Sequence, residues 1–168
     1  MSLTPEQIRE IKLELRMLNI PEEKIEKYVK ASEIIMRAVR KVWHIVSEEI
    51  FKRGLRLPNV ELDFTTGKMN DYYIEGYATR YYIVICVKPV LREMKIGLKE
   101  IDIEMNVAYR LFHELYHYIE TNMMSEEEYE RYLDRYTKDE KYREEVEKKA
   151  DDYAAQLFAR AYQEVFKD

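Results

Sequence analysis

The 168-residue sequence predicts an α+β fold, mainly helical, with a small sheet of about three strands directly before a helix carrying two histidines. Three observations predict it. Apolar residues recur about every 3.6 positions over most of the chain, the mark of helices with one buried face. Between residues 57 and 88 the period drops towards two and β-branched and aromatic residues accumulate, as in strands. A fresh helical run follows Gly97, and His113 and His117 stand on it.

The length suits one domain, residues 1–168, with helices over 5–53 as scaffold, the sheet over 57–88 and the histidine-bearing helices over 100–166. The net charge is −5, with basic and acidic residues interspersed rather than striped, which disfavours a nucleic-acid partner. No apolar run is long enough to span a membrane, and the N-terminus lacks a signal-peptide pattern. The single Cys86 rules out an internal disulfide, so a cytoplasmic location is the expectation. Charged residues make up 36% of the chain and only four are Gly, a bias seen in heat-adapted proteins. Fifteen tyrosines suggest packing side chains with a hydrated hydroxyl end.

In chain order, Thr4-Pro5-Glu6 has the residues of an N-cap, a first helical position and an acidic first turn. Ile8, Ile11, Leu15 and Leu18 extend it into a helix over 5–18. Asn19-Ile20-Pro21 breaks the helix, and the apolar positions from Ile25 to Ile50 define a long second one, 21 to about 53, closed by Gly54. His44 lies on it and reads as a packed or surface histidine rather than a ligand. Val60, Leu62 and Phe64 alternate with acids as a half-buried strand, with turns expected at Thr65-Thr66-Gly67 and Asn70-Asp71. Tyr72–Tyr77 and Tyr81–Val87 read as the next two strands, with Gly76 as a bulge or bend. Pro89 ends the third, and a short helical turn fits Val90–Met94.

The histidine helix is expected from about Asp102 to Asn122. Within Leu111-Phe112-His113-Glu114-Leu115-Tyr116-His117, the two histidines are four apart and share one helix face. Two imidazoles so placed can grip one metal ion, while Glu114, turned by roughly 100°, lies beside the ion rather than on it. A carboxylate there can take a proton from a metal-bound water, the H-E-x-x-H arrangement of metallopeptidases. Glu120, three after His117, is rejected as third ligand, because a straight helix cannot wrap three ligands around one ion.

After Asn122 the chain is strongly charged. Ser125–Glu128 and Thr137–Glu140 both read as capping boxes, introducing helices over about 126–136 and 138–166. The first of these reads as a solvated face, with a lid over a cleft as the lesser alternative. On the second, Glu147, Asp151 and Ala154 share a face, and Ala150 and Ala154 are small enough for close helix contact. A catalytic zinc needs three protein ligands and an open position, so a carboxylate must join the histidines. Glu147 suits that role, and Asp151 can accept the free N–H of a ligand histidine.

His113-Glu114-Leu115-Tyr116-His117 followed by Glu147-Lys148-Lys149-Ala150-Asp151-Asp152-Tyr153-Ala154-Ala155 resembles the gluzincin clan of zinc metallopeptidases. The Glu-x-x-Ala-Asp form is similar to that of HtpX-type peptidases. The wider pattern, with an aromatic residue and a second alanine, resembles the ImmA/IrrE-like peptidases. The resemblance spans roughly residues 72–160 and implies a zincin-like fold. It implies His113, His117 and Glu147 as zinc ligands, Glu114 as general base and Asp151 as a support for a ligand histidine. Unlike the HtpX type, this chain lacks membrane spans, and it lacks an accessory DNA-binding module, so a small stand-alone gluzincin is the nearer description. The long helix over 21–53 has no assigned counterpart in the clan.

The expected activity is therefore zinc-dependent hydrolysis of peptide or protein substrates. The oxyanion donor is left open among many tyrosines, with Tyr153 pointing off the Glu147 face. Tyr72, Tyr73, Tyr77, Tyr81 and Tyr82 lie on the sheet, whose edge can pair with an extended peptide. A latent form is a further expectation, with the chain after Glu147 blocking the cleft. The rival reading is a catalytically silent zinc-binding module whose metal ties two helices together.

Overall fold

The computed structural model describes residues 3–66 and 74–168. It is mainly helical with one three-stranded mixed sheet. Helix α1 (Pro5–Met17) begins with a capping box: Thr4 Oγ1 accepts the Gln7 N–H, and Gln7 Oε1 accepts the Thr4 N–H. The chain reverses at Asn19, whose φ is 62°, and enters α2 (Glu22–Phe51). Gly54, at φ 68°, ends that helix in the left-handed region where a side chain would be strained.

Strands β1 (Asn59–Asp63), β2 (Gly76–Ala78) and β3 (Tyr82–Cys86) assemble in the order β1-β3-β2. The central β3 runs parallel to β1 and antiparallel to β2. Ile83, Val84, Ile85 and Cys86 are all buried. A strand covered on both faces carries a continuous apolar run rather than an alternation.

The second strand departs from expectation. Tyr72 and Tyr73, like Gly67, Asn70 and Asp71, lie outside the described residues, and β2 is centred on Tyr77. Gly76 is no bulge; it pairs with Ile85 in regular register. A Cβ there would come within 2.7 Å of the Val84 carbonyl oxygen and 3.4 Å of Glu114 Cγ. Glycine lets the strand lie directly on its neighbour and on the histidine helix. The turn to β3 is held by Thr79, whose Oγ1 accepts the N–H groups of Tyr81 and Tyr82.

Helix α3 (Lys88–Lys95) has Pro89 in its first turn and is longer than the single turn expected. Helix α4 (Glu100–Asn122) bears the histidines, and α5 (Glu126–Lys138) opens with the expected Ser125–Glu128 capping box. The second expected box does not form. Asp139 caps α6 (Glu140–Ala161) by accepting the Tyr142 N–H, while Thr137, still inside α5, donates back to the Leu133 carbonyl. A single π-helical turn (Tyr162–Phe166) follows, and Phe166 stacks on Phe158.

Helix α4 is the hub, flanked by α2, α6 and the sheet. Long α2 backs it with a buried stripe that includes Ile34, Ala38, Val42 and Ile45. It is also tied to α4 by Arg37 and Lys41, which pair with the buried Glu104. On the other side Ala150 and Ala154 of α6 are fully buried, and their small size brings the α6 backbone close to α4. None of the described helices is long and apolar enough to cross a membrane.

Candidate metal centre

The middle of α4 presents His113 and His117 on the face that meets α6, and α6 presents Glu147 and Asp151 in return. His113 Nε2 and His117 Nε2 lie 2.9 Å and 3.0 Å from Glu147 Oε2, and 3.3 Å from each other. Donor atoms about 2.0–2.1 Å from a tetrahedral zinc sit roughly 3.3 Å apart, so the three atoms are close enough together to hold one ion. Among the described residues these three form the one group of histidine, cysteine and acidic side chains whose donor atoms converge in this way.

The proton count makes the same point. Asp151 Oδ1 is 2.8 Å from His113 Nδ1 and holds the proton on that nitrogen. The lone pair on Nε2 then faces the Glu147 carboxylate and the second imidazole. Three lone-pair donors converging on one point need a cation between them, either protons or a metal. The titration behaviour reflects that demand. Burial opposes a charge on His113, but the hydrogen bond to Glu147 and the charges of Glu114, Glu147 and Asp151 outweigh it and push its pKa up to about 9. Burial likewise opposes ionisation of Glu147, yet hydrogen bonds from His113, His117 and Tyr136 hold its carboxyl far below the usual range.

Glu114 stands beside this cluster, with Oε1 4.0 Å from His113 Nε2. It is buried, and among the described residues its Oε2 has no hydrogen-bond partner. Burial and the charge of Glu147 push its pKa up, against the pull of the two histidines. A buried carboxylate oxygen is costly to leave without a donor, and this one, on a side chain beside the histidine–glutamate cluster, has its acceptor capacity unused.

No protein-family model, curated protein or solved structure gives a significant match to this chain.

Other sequence-singled residues fall elsewhere. Glu120 is outside the cluster. His44 is half-exposed and 3.3 Å from Glu164. Tyr153 turns away from Glu147 and donates to Glu49 of α2. Tyr77 gives its hydroxyl to Asp63 of β1, and Tyr81 is exposed. Of the chain after Glu147, expected as a block over the cleft, Asp151 lines one of the two hollows beside the histidines, and no residue of the turn Tyr162–Phe166 lines either.

Sequence reasoning missed Tyr136, whose hydroxyl donates to Glu147 Oε1 at 2.5 Å. It also missed that α5, read chiefly as a solvated face, walls the site with Tyr129, Tyr132 and Tyr136. The signal was present: these tyrosines recur at helical spacing within an otherwise charged segment. Arg110, one turn before the histidines and buried against Glu93, carried no such signal.

Proposed function

We propose that the chain is a zinc-dependent metallopeptidase of zincin-like fold. The observation that carries this reading is the convergence of His113, His117 and Glu147 beside the unpartnered buried oxygen of Glu114. Zinc held by those three ligands would supply a Lewis acid for the scissile carbonyl and lower the pKa of the attacking water towards about 7.

The chain's own groups do the rest. Glu114 accepts the water proton and delivers it to the leaving amine. Asp151 fixes the His113 tautomer so that Nε2 is free to ligate. Tyr136 orients Glu147 through the oxygen that does not face the histidines. Among the described residues only β3 pairs with β2, so the outer edge of β2, which lies beside Glu114 at Gly76, can offer backbone groups to an extended peptide.

The test is Glu114→Gln. The variant is expected to fold and retain one zinc per chain while losing hydrolysis of an unstructured protein such as casein by at least about 100-fold. Purified protein lacking bound zinc when chelators are avoided would overturn the metal assignment. Zinc-loaded wild type without hydrolysis would favour a silent metal-binding module instead.

A further inference from the structure

We infer that the cleft takes a peptide whose scissile bond is flanked by a basic side chain on one side and a large apolar side chain on the other. This deepens the peptidase reading and rests on it. Two hollows flank the histidine–glutamate cluster and share Ile74, Gly76, Glu114 and Glu147 as a common wall. They measure ≈ 300 and ≈ 320 Å³, the low end of the roughly 300–1,000 Å³ usual for ligand sites. Each therefore suits a side chain rather than a folded segment.

The first hollow is acidic by construction. Beyond the shared wall it is lined by Glu75, Tyr109, Arg110, His113 and Asp151. Among the described residues Arg110 is the one lysine or arginine in that lining, and its charge is already matched: it pairs with Glu93, and both side chains are only 8% exposed. Asn106 Nδ2 donates to the other Glu93 oxygen at 2.7 Å. From this buried pair Arg110 Nε reaches 3.2 Å to Glu75 Oε2, and Glu75 remains 47% exposed at the rim. Burying an arginine–carboxylate pair carries a desolvation penalty. No hydrogen bond or ion pair joins Arg110 or Glu93 to the ligand cluster. As a mount for Glu75 the pair has a role, because it leaves one surplus carboxylate fixed at the rim of a hollow that also contains the half-exposed Asp151. A guanidinium or ammonium group entering this hollow would find both carboxylates in its wall.

The second hollow is aromatic and apolar. Tyr129, Tyr132, Leu133 and Tyr136 from α5 face Ala78 of β2 and Ile74 across it. Among the described residues no lysine, arginine or aspartate lines it, and the two acids that do are Glu114 and Glu147 of the shared wall. A large apolar side chain gains by leaving water there, and the tyrosine rings offer edges and faces to an aromatic one.

Binding without turnover tests this. Zinc-loaded Glu114→Gln protein is titrated against fluorescein-labelled decapeptides of one frame that differ at two adjacent central positions: Phe/Lys, Phe/Glu and Ala/Lys, each in both orders. The better Phe/Lys order is expected to bind about ten-fold more tightly than either Phe/Glu or Ala/Lys peptide. Adding Glu75→Gln, whose amide still accepts from Arg110, should reduce the Lys-over-Glu ratio to roughly two-fold. Adding Leu133→Asp, at a position 43% exposed and so tolerant of change, should abolish the Phe-over-Ala ratio. Zinc content should stay constant throughout. Equal binding of Phe/Glu and Phe/Lys peptides, a Lys preference that survives Glu75→Gln, or no binding to any peptide overturns the inference. The peptidase reading fails separately: it falls if wild-type protein leaves intact the peptides that Glu114→Gln protein binds with these ratios.

Discussion

Asp151 shows how one carboxylate sets the chemistry of a neighbour it does not replace. By accepting from His113 Nδ1 it decides which ring nitrogen carries a lone pair, and its charge makes that lone pair more basic. Asp151→Asn keeps an oxygen that can accept the same N–H but removes the charge. Metal affinity, measured by competition with a chromogenic chelator, is expected to fall about ten-fold with the fold intact. An unchanged affinity would mean that Asp151 merely caps the ring. At this scale much was legible in the sequence. His113, Glu114 and His117 announce themselves by spacing, and Glu147 and Asp151 by their place beside small residues on a later helix. Tyr136 was signalled only as one of a stripe of tyrosines, and Glu75 not at all. Their places depend on how α5 and β2 lie across α4, and no local pattern encodes that.

Among the elements, α6 has the most demanding position, because it must lie close enough to α4 for Glu147 to reach both histidines. Ala150 and Ala154 have no exposed surface, so there is no room for a larger side chain. Ala154→Leu is expected to cost roughly 1–3 kcal/mol and, by pushing the helices apart, to weaken metal binding as well. Denaturant unfolding and metal titration of the same sample check both. The edge strand has its own anchor. Asp63 accepts the N–H groups of Thr65 and Thr66 and the Tyr77 hydroxyl of β2. Burial raises its pKa, but these hydrogen bonds prevail and hold it at about 2, against an ordinary 3.8. The folded value is the lower one, so the stabilisation is complete above about pH 4 and is lost as pH falls towards 2. Asp63→Asn should flatten that acid limb by roughly 1 kcal/mol, after allowance for the carboxylate's partial exposure, in melts recorded from pH 5 to pH 2. Helix periods made most elements readable in advance. The failures lay where two local signals compete, as Thr137 and Asp139 do for one helix start, or where a glycine serves close approach rather than a bend, as at Gly76.

For the whole molecule, the question is whether a metal held by His113, His117 and Glu147 would build the fold or find its site already built. One continuous apolar cluster runs from Leu15 on α1 through α2, the sheet and α4 to Leu157 and Phe166, and it requires no ligand to close. Helix α2, whose role the sequence left open, supplies much of that cluster and holds α4 from behind. It also reaches α6 through the Tyr153–Glu49 hydrogen bond. The helices carrying the ligands are therefore set by packing, and the convergence of His113, His117 and Glu147 is preorganised. A chelated protein should keep its helical circular dichroism and still unfold cooperatively. A metal present at about 1,000 times its dissociation constant adds roughly 4 kcal/mol to stability. For a chain of this size that corresponds to roughly 8–16 °C in Tm. The expected result is thus a folded apo-protein melting lower by about that interval and restored by stoichiometric zinc. Collapse of the circular dichroism on chelation would reverse the order of cause. It would make the metal a structural clamp, as in a silent zinc-binding module, and take away the rigid scaffold on which the proposed catalytic arrangement depends.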